Sequence, residues 1–239
     1  MFPFRDHNPS NRVPYVSYAL IAINVLVYFS YGFLPERQVY QIFDVWAMVP
    51  AEIWAGTELH TLLTCMFMHG GWMHLGGNML FLWVFGDNLE DYLGHVGMLT
   101  FYLLCGLGAS AAQILVEPYS MIPNVGASGA IAGLMGGYLM LFPKARIDVL
   151  FIIVFFIRVV PLAAWIVLGG WVALQIVMGA LDWGVDTGGV AYFAHIGGFV
   201  AGVAGIALIW LFRGKPPYWP EMPHEPVEIP RNPWARVKR

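Results

Sequence analysis

P-N-V-G-A-S-G-A-I-A-G-L-M-G-G-Y, residues 123–138, sets Ser128 between Ala127 and Gly129, inside a run free of charge from Pro118 to Pro143. The glycines and alanines beyond it repeat at helical spacing, so Ser128 reads as the start of a helix. A G-x-S-G serine inside an apolar helix is unusual, because water-dependent chemistry is hardest in lipid. Composition supports the lipid setting. The chain has 239 residues, 59% hydrophobic and 11% charged, against about 25% charged in soluble domains.

Charge-free runs extend over 13–35, 59–86, 92–116, 118–143, 159–181 and 187–212. Each exceeds the ~20 residues that a helix needs to cross a ~30 Å hydrocarbon core. Backbone polar groups in lipid must bond within their own segment, so six transmembrane helices are expected. The predicted fold is an all-α membrane protein: a six-helix bundle with a long outer loop between helices one and two and a short fourth helix. Val149–Ile157 is too short to cross and is expected to lie on the membrane face or inside the bundle. Domain limits follow as a cytoplasmic N-terminus at 1–12, the bundle at 13–212 and a Pro-rich cytoplasmic tail at 213–239.

Six spans put both ends on one side, and eleven of the twelve Lys and Arg residues, all but Arg37, would then share it. By the positive-inside rule that side is cytoplasmic, in a cytoplasmic membrane. No cleavable signal peptide is expected. Cys65 and Cys105 fall in apolar runs and read as core residues. Between the first two spans, Gln38–Met68 carries Trp46 and Trp54 and reads as a partly interfacial outer structure.

In this topology spans two, four and six all begin on the outer side. His74 and Asn78 lie near the start of span two, Ser128 near that of span four and His195 near that of span six, so topology alone brings all four to one depth. A helix from about Ala127 to Pro143 is ~24 Å long, which sinks Ser128 below the outer surface. Ser128, Ala132 and Gly136 share a face, with Gly129, Gly133 and Gly137 beside them, and His195, Gly198 and Gly202 share another. Small faces of this kind let membrane helices approach closely. Packing them together brings the Ser128 hydroxyl to the His195 ring.

In that arrangement His195 serves as general base for Ser128. The Ser128 N–H, an unpaired donor at a helix start, meets the oxyanion. His74 and Asn78, at i and i+4, can donate to the same oxygen. No Asp or Glu lies within a span to orient His195, so a Ser–His dyad is expected, with packing in place of a third member. No metal or cofactor is expected, since H-E-x-x-H is absent.

Taken singly, each of these residues has a plainer reading. Ser128 could be one more small packing residue, His195 a bonded core histidine and Asn78 interhelical glue. His69 reads as a structural hydrogen-bonder of the outer loop. Asp87, Glu90 and Asp91 read as a solvated turn or local hydrogen-bond partners.

H-G-G-W-M-H-L-G-G-N-M at 69–79, G-A-S-G at 126–129 and A-H-I-G-G-F-V-A-G at 194–202 resemble the rhomboid family of intramembrane serine proteases, over about Val13–Phe212. The resemblance implies the prokaryotic six-span form, with Ser128 as nucleophile, His195 as its partner, and His74 and Asn78 at the oxyanion. It also implies transmembrane proteins as substrates, the lipid bilayer as surroundings and no nucleic-acid partner.

Two departures accompany it. His60 and Thr61 stand where many members have a Trp–Arg pair. Ala132 stands where some place an aromatic that stacks on the catalytic ring. A non-proteolytic rhomboid-like binding or quality-control factor is the alternative. A channel or transporter fits less well, with no mid-span charge and no repeat.

Overall fold

The computed structural model describes residues 2–153, 156–184 and 189–214. Helices dominate them: α1 (Tyr15–Tyr31), α2 (Glu36–Trp46), α3 (Pro50–Trp54), α4 (Thr61–Thr64), α5 (Trp72–Leu93), α6 (His95–Val116), α7 (Ser128–Leu141), α8 (Ala164–Leu181) and α9 (Tyr192–Arg213). The six charge-free runs overlap α1, α5, α6, α7, α8 and α9 in turn. By length and composition α6, α8 and α9 can cross a membrane, while α1 and α7 are shorter apolar helices. The expected tail beyond Gly214 lies outside the described residues.

α7 is the axis of the bundle. Its residues from Gly129 to Tyr138 are buried on every side, as befits a helix that is apolar all round. Against it runs α9, and the seam is nearly side-chain-free. A Cβ at Gly198 would strike the Gly129 carbonyl, one at Gly202 the Gly133 carbonyl, and one at Gly136 the Phe199 carbonyl. Only glycine permits that backbone approach.

Two expected runs are shorter as helices than as charge-free stretches. Residues 59–71 form α4, a 3-10 turn (Cys65–Phe67) and a loop, and the helix starts only after Gly70 and Gly71. Residues 118–127 are irregular. Their backbone is tied instead to the segment between α1 and α5, by Met48 N–H to the Asn124 carbonyl at 3.0 Å, Asn124 N–H to the Met48 carbonyl at 2.7 Å and Gly126 N–H to the Cys65 carbonyl at 2.9 Å. Irregular backbone inside a membrane protein needs such partners.

The all-α expectation requires a correction. β1 (Phe2–Asp6), β2 (Arg146–Ile153) and β3 (Phe156–Ala163) form an antiparallel sheet in the order β1-β2-β3. Of the short apolar stretch expected there, Val149–Ile153 lies in β2 and Phe156 and Ile157 in β3, with Arg146 opposite Ala163. Its β-branched residues suit a pleated surface, and Ile147 and Val149 bury themselves fully against the bundle core. The N-terminus adds the third strand, Phe2 opposite Leu150 and Asp6 opposite Ile147. Arg5 donates to Asp148 at 2.7 Å, and the His7 ring lies 2.8 Å from the same carboxylate.

Glu90 is not the solvated residue of one reading, although it does bond locally, to His95 Nδ1 at 2.6 Å. It is fully buried, and it accepts from the Val16 and Ser17 N–H groups at 2.8 Å each and from the Ser17 hydroxyl at 2.7 Å. These are free donors at the start of α1, so Glu90 caps that helix from α5.

Candidate active site

Ser128 is the first residue of α7, and the first backbone bond of that helix runs from Ile131 N–H to the Ala127 carbonyl. The N–H groups before Ile131 therefore have no intrahelical acceptor. The Ser128 Oγ lies 2.8 Å from His195 Nε2, one turn into α9. The glycine seam sets this distance by holding the two helices at backbone contact.

His195 Nδ1 lies 2.8 Å from Gln175 Oε1 on α8. The ring of Trp171, also on α8, stands over the imidazole with centroids 5.6 Å apart and planes inclined at 37°. A third side chain thus meets the histidine where packing alone was expected. Gln175 was overlooked in the sequence although it is the one side-chain amide in an otherwise apolar helix, a signal that intramembrane polar groups generally carry. Trp171 gives the imidazole a tilted aromatic contact, where Ala132 offers none. The turn carrying His195 is held from α6, where Gln113 Oε1 accepts the Ala194 N–H at 3.1 Å.

His74 and Asn78 line the same cavity of about 560 Å³ as Ser128 and His195. Gly70 N–H donates to His74 Nδ1 at 3.3 Å. That bond leaves the ring proton on Nε2, which faces the backbone just before the serine. A Cβ at Gly126 would come within 2.7 Å of this Nε2, and Gly126 also has φ +132°. Glycine is needed there both for space and for its backbone angle. Asn78 is 8% exposed, and its Nδ2 has no hydrogen-bond partner. A buried amide donor left unpaired costs about 1–3 kcal/mol, and this one belongs to a residue that lines the cavity.

The flanking residues have other roles. The His69 backbone is clamped by the Tyr31 hydroxyl, which donates to its carbonyl at 2.9 Å and accepts from its N–H at 2.6 Å. Its ring packs edge-on against His74, with centroids 5.1 Å apart. His69 is therefore held through its main chain. Between α1 and α5, the His60 ring bonds the Val45 carbonyl at 2.9 Å and stands perpendicular to Trp46. Thr61 Oγ1 donates to the Glu58 carbonyl at 2.7 Å. Among the described residues, no three His, Cys, Asp or Glu side chains converge as a metal site would require.

A helical membrane bundle with a hydroxyl, an imidazole and spare donors around one internal cavity is a narrow class of protein. The Rhomboid domain model matches residues 56–212, and the chain belongs to the rhomboid family. It is 30% identical over 204 residues to the mitochondrial Rhomboid protein 1 of Saccharomyces cerevisiae, covering 84% of this chain and 53% of that protein. With the chloroplastic Rhomboid-like protein 11 of Arabidopsis thaliana it shares 29% over 201 residues, 82% of this chain and 65% of the relative. The Rhomboid protease GluP of Bacillus subtilis is 27% identical over 201 residues, 84% of this chain and 36% of its own. The chain thus spans between about a third and two thirds of these relatives' lengths.

Proposed function

We propose that this protein is an intramembrane serine protease that hydrolyses peptide bonds in or near transmembrane segments of other membrane proteins. The observation that carries the reading is the 2.8 Å contact between Ser128 Oγ and His195 Nε2, beside an unpaired Asn78 donor in the same cavity. Membership in a family that includes a protein named as a protease supports it.

In the proposed reaction Ser128 Oγ attacks the scissile carbonyl as its proton passes to His195 Nε2. The carbonyl oxygen, now negative, is met by the Ser128 N–H, Asn78 Nδ2 and His74 Nε2. Collapse of the tetrahedral adduct breaks the C–N bond, and His195 returns the proton to the leaving amine. Water, deprotonated by His195, then releases the acyl group and regenerates the hydroxyl. An extended substrate is required, because a helix hides its carbonyls in its own hydrogen bonds.

Six spans, with both ends on the cytoplasmic side of a cytoplasmic membrane, fit this reading. The helices α5, α7 and α9 then enter from the outer side with Ser128, His195, His74 and Asn78 near their starts. The asymmetry of Lys and Arg supports the orientation.

Cleavage of a single-span protein in reconstituted vesicles tests the proposal. The wild type is expected to cut it and Ser128→Ala to leave it intact, a loss of roughly 10⁴-fold or more. Equal cutting by both would remove Ser128 from the reaction.

A further inference from the structure

A histidine acts as a base toward a hydroxyl only while the nitrogen facing that hydroxyl is bare, so the ring proton must be held on the other nitrogen. We propose that Gln175 is the positioning residue that holds it there, so that the unit at work is a Ser128–His195–Gln175 relay and not a dyad. The proposal rests on the protease reading above.

Gln175 is 6% exposed. It belongs to the one stripe of α8 that faces the bundle, with Ala164, Leu168 and Gly179, which are all buried. A primary amide on a membrane helix is costly unless it is bonded. Its oxygen, 2.8 Å from His195 Nδ1, can only accept a hydrogen bond. Nδ1 must therefore carry the proton, which leaves Nε2 as the acceptor facing Ser128 Oγ at 2.8 Å. The opposite tautomer would point an N–H at the serine and make the pair inert.

Two side chains of α8 share the task. Trp171, one turn before Gln175, packs against the ring at a tilt and limits its movement on that side. The Gln175 oxygen restrains rotation within the ring plane. Helix α7 offers Ala132 where an aromatic could have stacked, so the histidine is oriented from α8. An amide is neutral, which spares this apolar site the desolvation cost of a buried carboxylate. It still gives the same directional hold on Nδ1.

The test compares Gln175→Leu, which removes the acceptor at similar volume, with Gln175→Glu, which keeps an acceptor at the same reach. In detergent, ring ¹⁵N NMR of wild-type His195 is expected to show the Nδ1–H tautomer, and Gln175→Leu to lose that signature. The kcat for a transmembrane substrate is expected to fall roughly 10–10²-fold in Gln175→Leu, part of the 10²–10⁴ that a positioned base supplies, with KM little changed. Gln175→Glu is expected to stay within a few-fold of wild type. Wild-type tautomer and kcat in Gln175→Leu, or equal damage in both variants, would overturn the role. If the wild type cuts nothing, the protease reading fails by itself. The tautomer signal still decides on Gln175: loss of the signature in Gln175→Leu supports it, and an unchanged spectrum overturns it.

Discussion

Helix α7 carries a polar site near each end, and the two are built on opposite terms. Around Ser128 donors are left over: Asn78 Nδ2 has no partner, and the first turn of the helix has free N–H groups. Around Tyr138 the charged and hydroxyl side chains are paired with one another. Its hydroxyl donates to Asp6 at 2.6 Å, Ser10 donates to Asp87 at 2.9 Å, and Arg5 and His7 engage Asp148. Unpaired donors beside a cavity can stabilise charge that appears only during a reaction. Paired groups at the other end hold the N-terminal strand and the sheet to the bundle.

The largest way to break this comparison is to separate the helices that frame the upper site. Gly202→Leu places a side chain against the Gly133 carbonyl. It is expected to cost roughly 1–3 kcal/mol or more and to abolish activity, read as a lower Tm and lost substrate cleavage. Wild-type values for both would mean that the glycine seam does not set the Ser128–His195 distance.

Emptying the upper site of one donor is next. Asn78→Ala is expected to lower kcat by roughly 10²-fold without lowering Tm, since the amide it removes is unpaired in the resting protein. A change confined to KM would take Asn78 out of the oxyanion role.

The lower site is sharpened by pH. Burial pushes the Asp6 carboxyl up from 3.8 to about 7, against the bond from Tyr138, which lowers it, and with the charge of Asp87 adding to the rise. The folded chain therefore holds this proton more tightly than the unfolded chain. Its contribution is complete below about pH 4 and is lost as pH rises through about 7. Hydrogen exchange at His7 N–H, which bonds the Arg146 carbonyl at 2.9 Å, is expected to accelerate relative to α7 amides between about pH 6 and 8. Asp6→Asn is expected to flatten that trend. An equal slope in the variant would assign the loosening to other groups.

The smallest effect belongs to the connection between α1 and α5. His60→Ala removes one exposed hydrogen bond and a ring contact on Trp46. A loss of at most about 1 kcal/mol, or roughly 2–4 °C in Tm at this chain length, is expected, with cleavage unaltered.

Much of the upper site was legible in the sequence. Polar residues stand out in apolar runs, and alternating direction brings the starts of every second helix together. That logic finds Ser128, His195, His74 and Asn78 as candidates, and all four line one cavity. It passes over Gln175 because an orienting partner was sought among carboxylates, while a neutral amide can hold a ring proton equally well.

The lower end was harder to read. A short apolar run such as Val149–Ile157 is ambiguous between helix and strand. Its outer partner strand, Phe2–Asp6, lies more than a hundred residues away. The Glu90 cap was hidden for the same reason, since its partners Val16 and Ser17 belong to another helix. Charge near a span end reads as solvated until the fold supplies its donors.

The central claim is that the Ser128 hydroxyl is made nucleophilic by His195. Treating the detergent-solubilised protein with a fluorophosphonate and mapping the adduct by mass spectrometry tests it most directly. One adduct is expected, on Ser128, and none in His195→Ala, whose serine lacks a base. Labelling of His195→Ala at the wild-type rate, or an adduct on any other residue alone, would contradict the account.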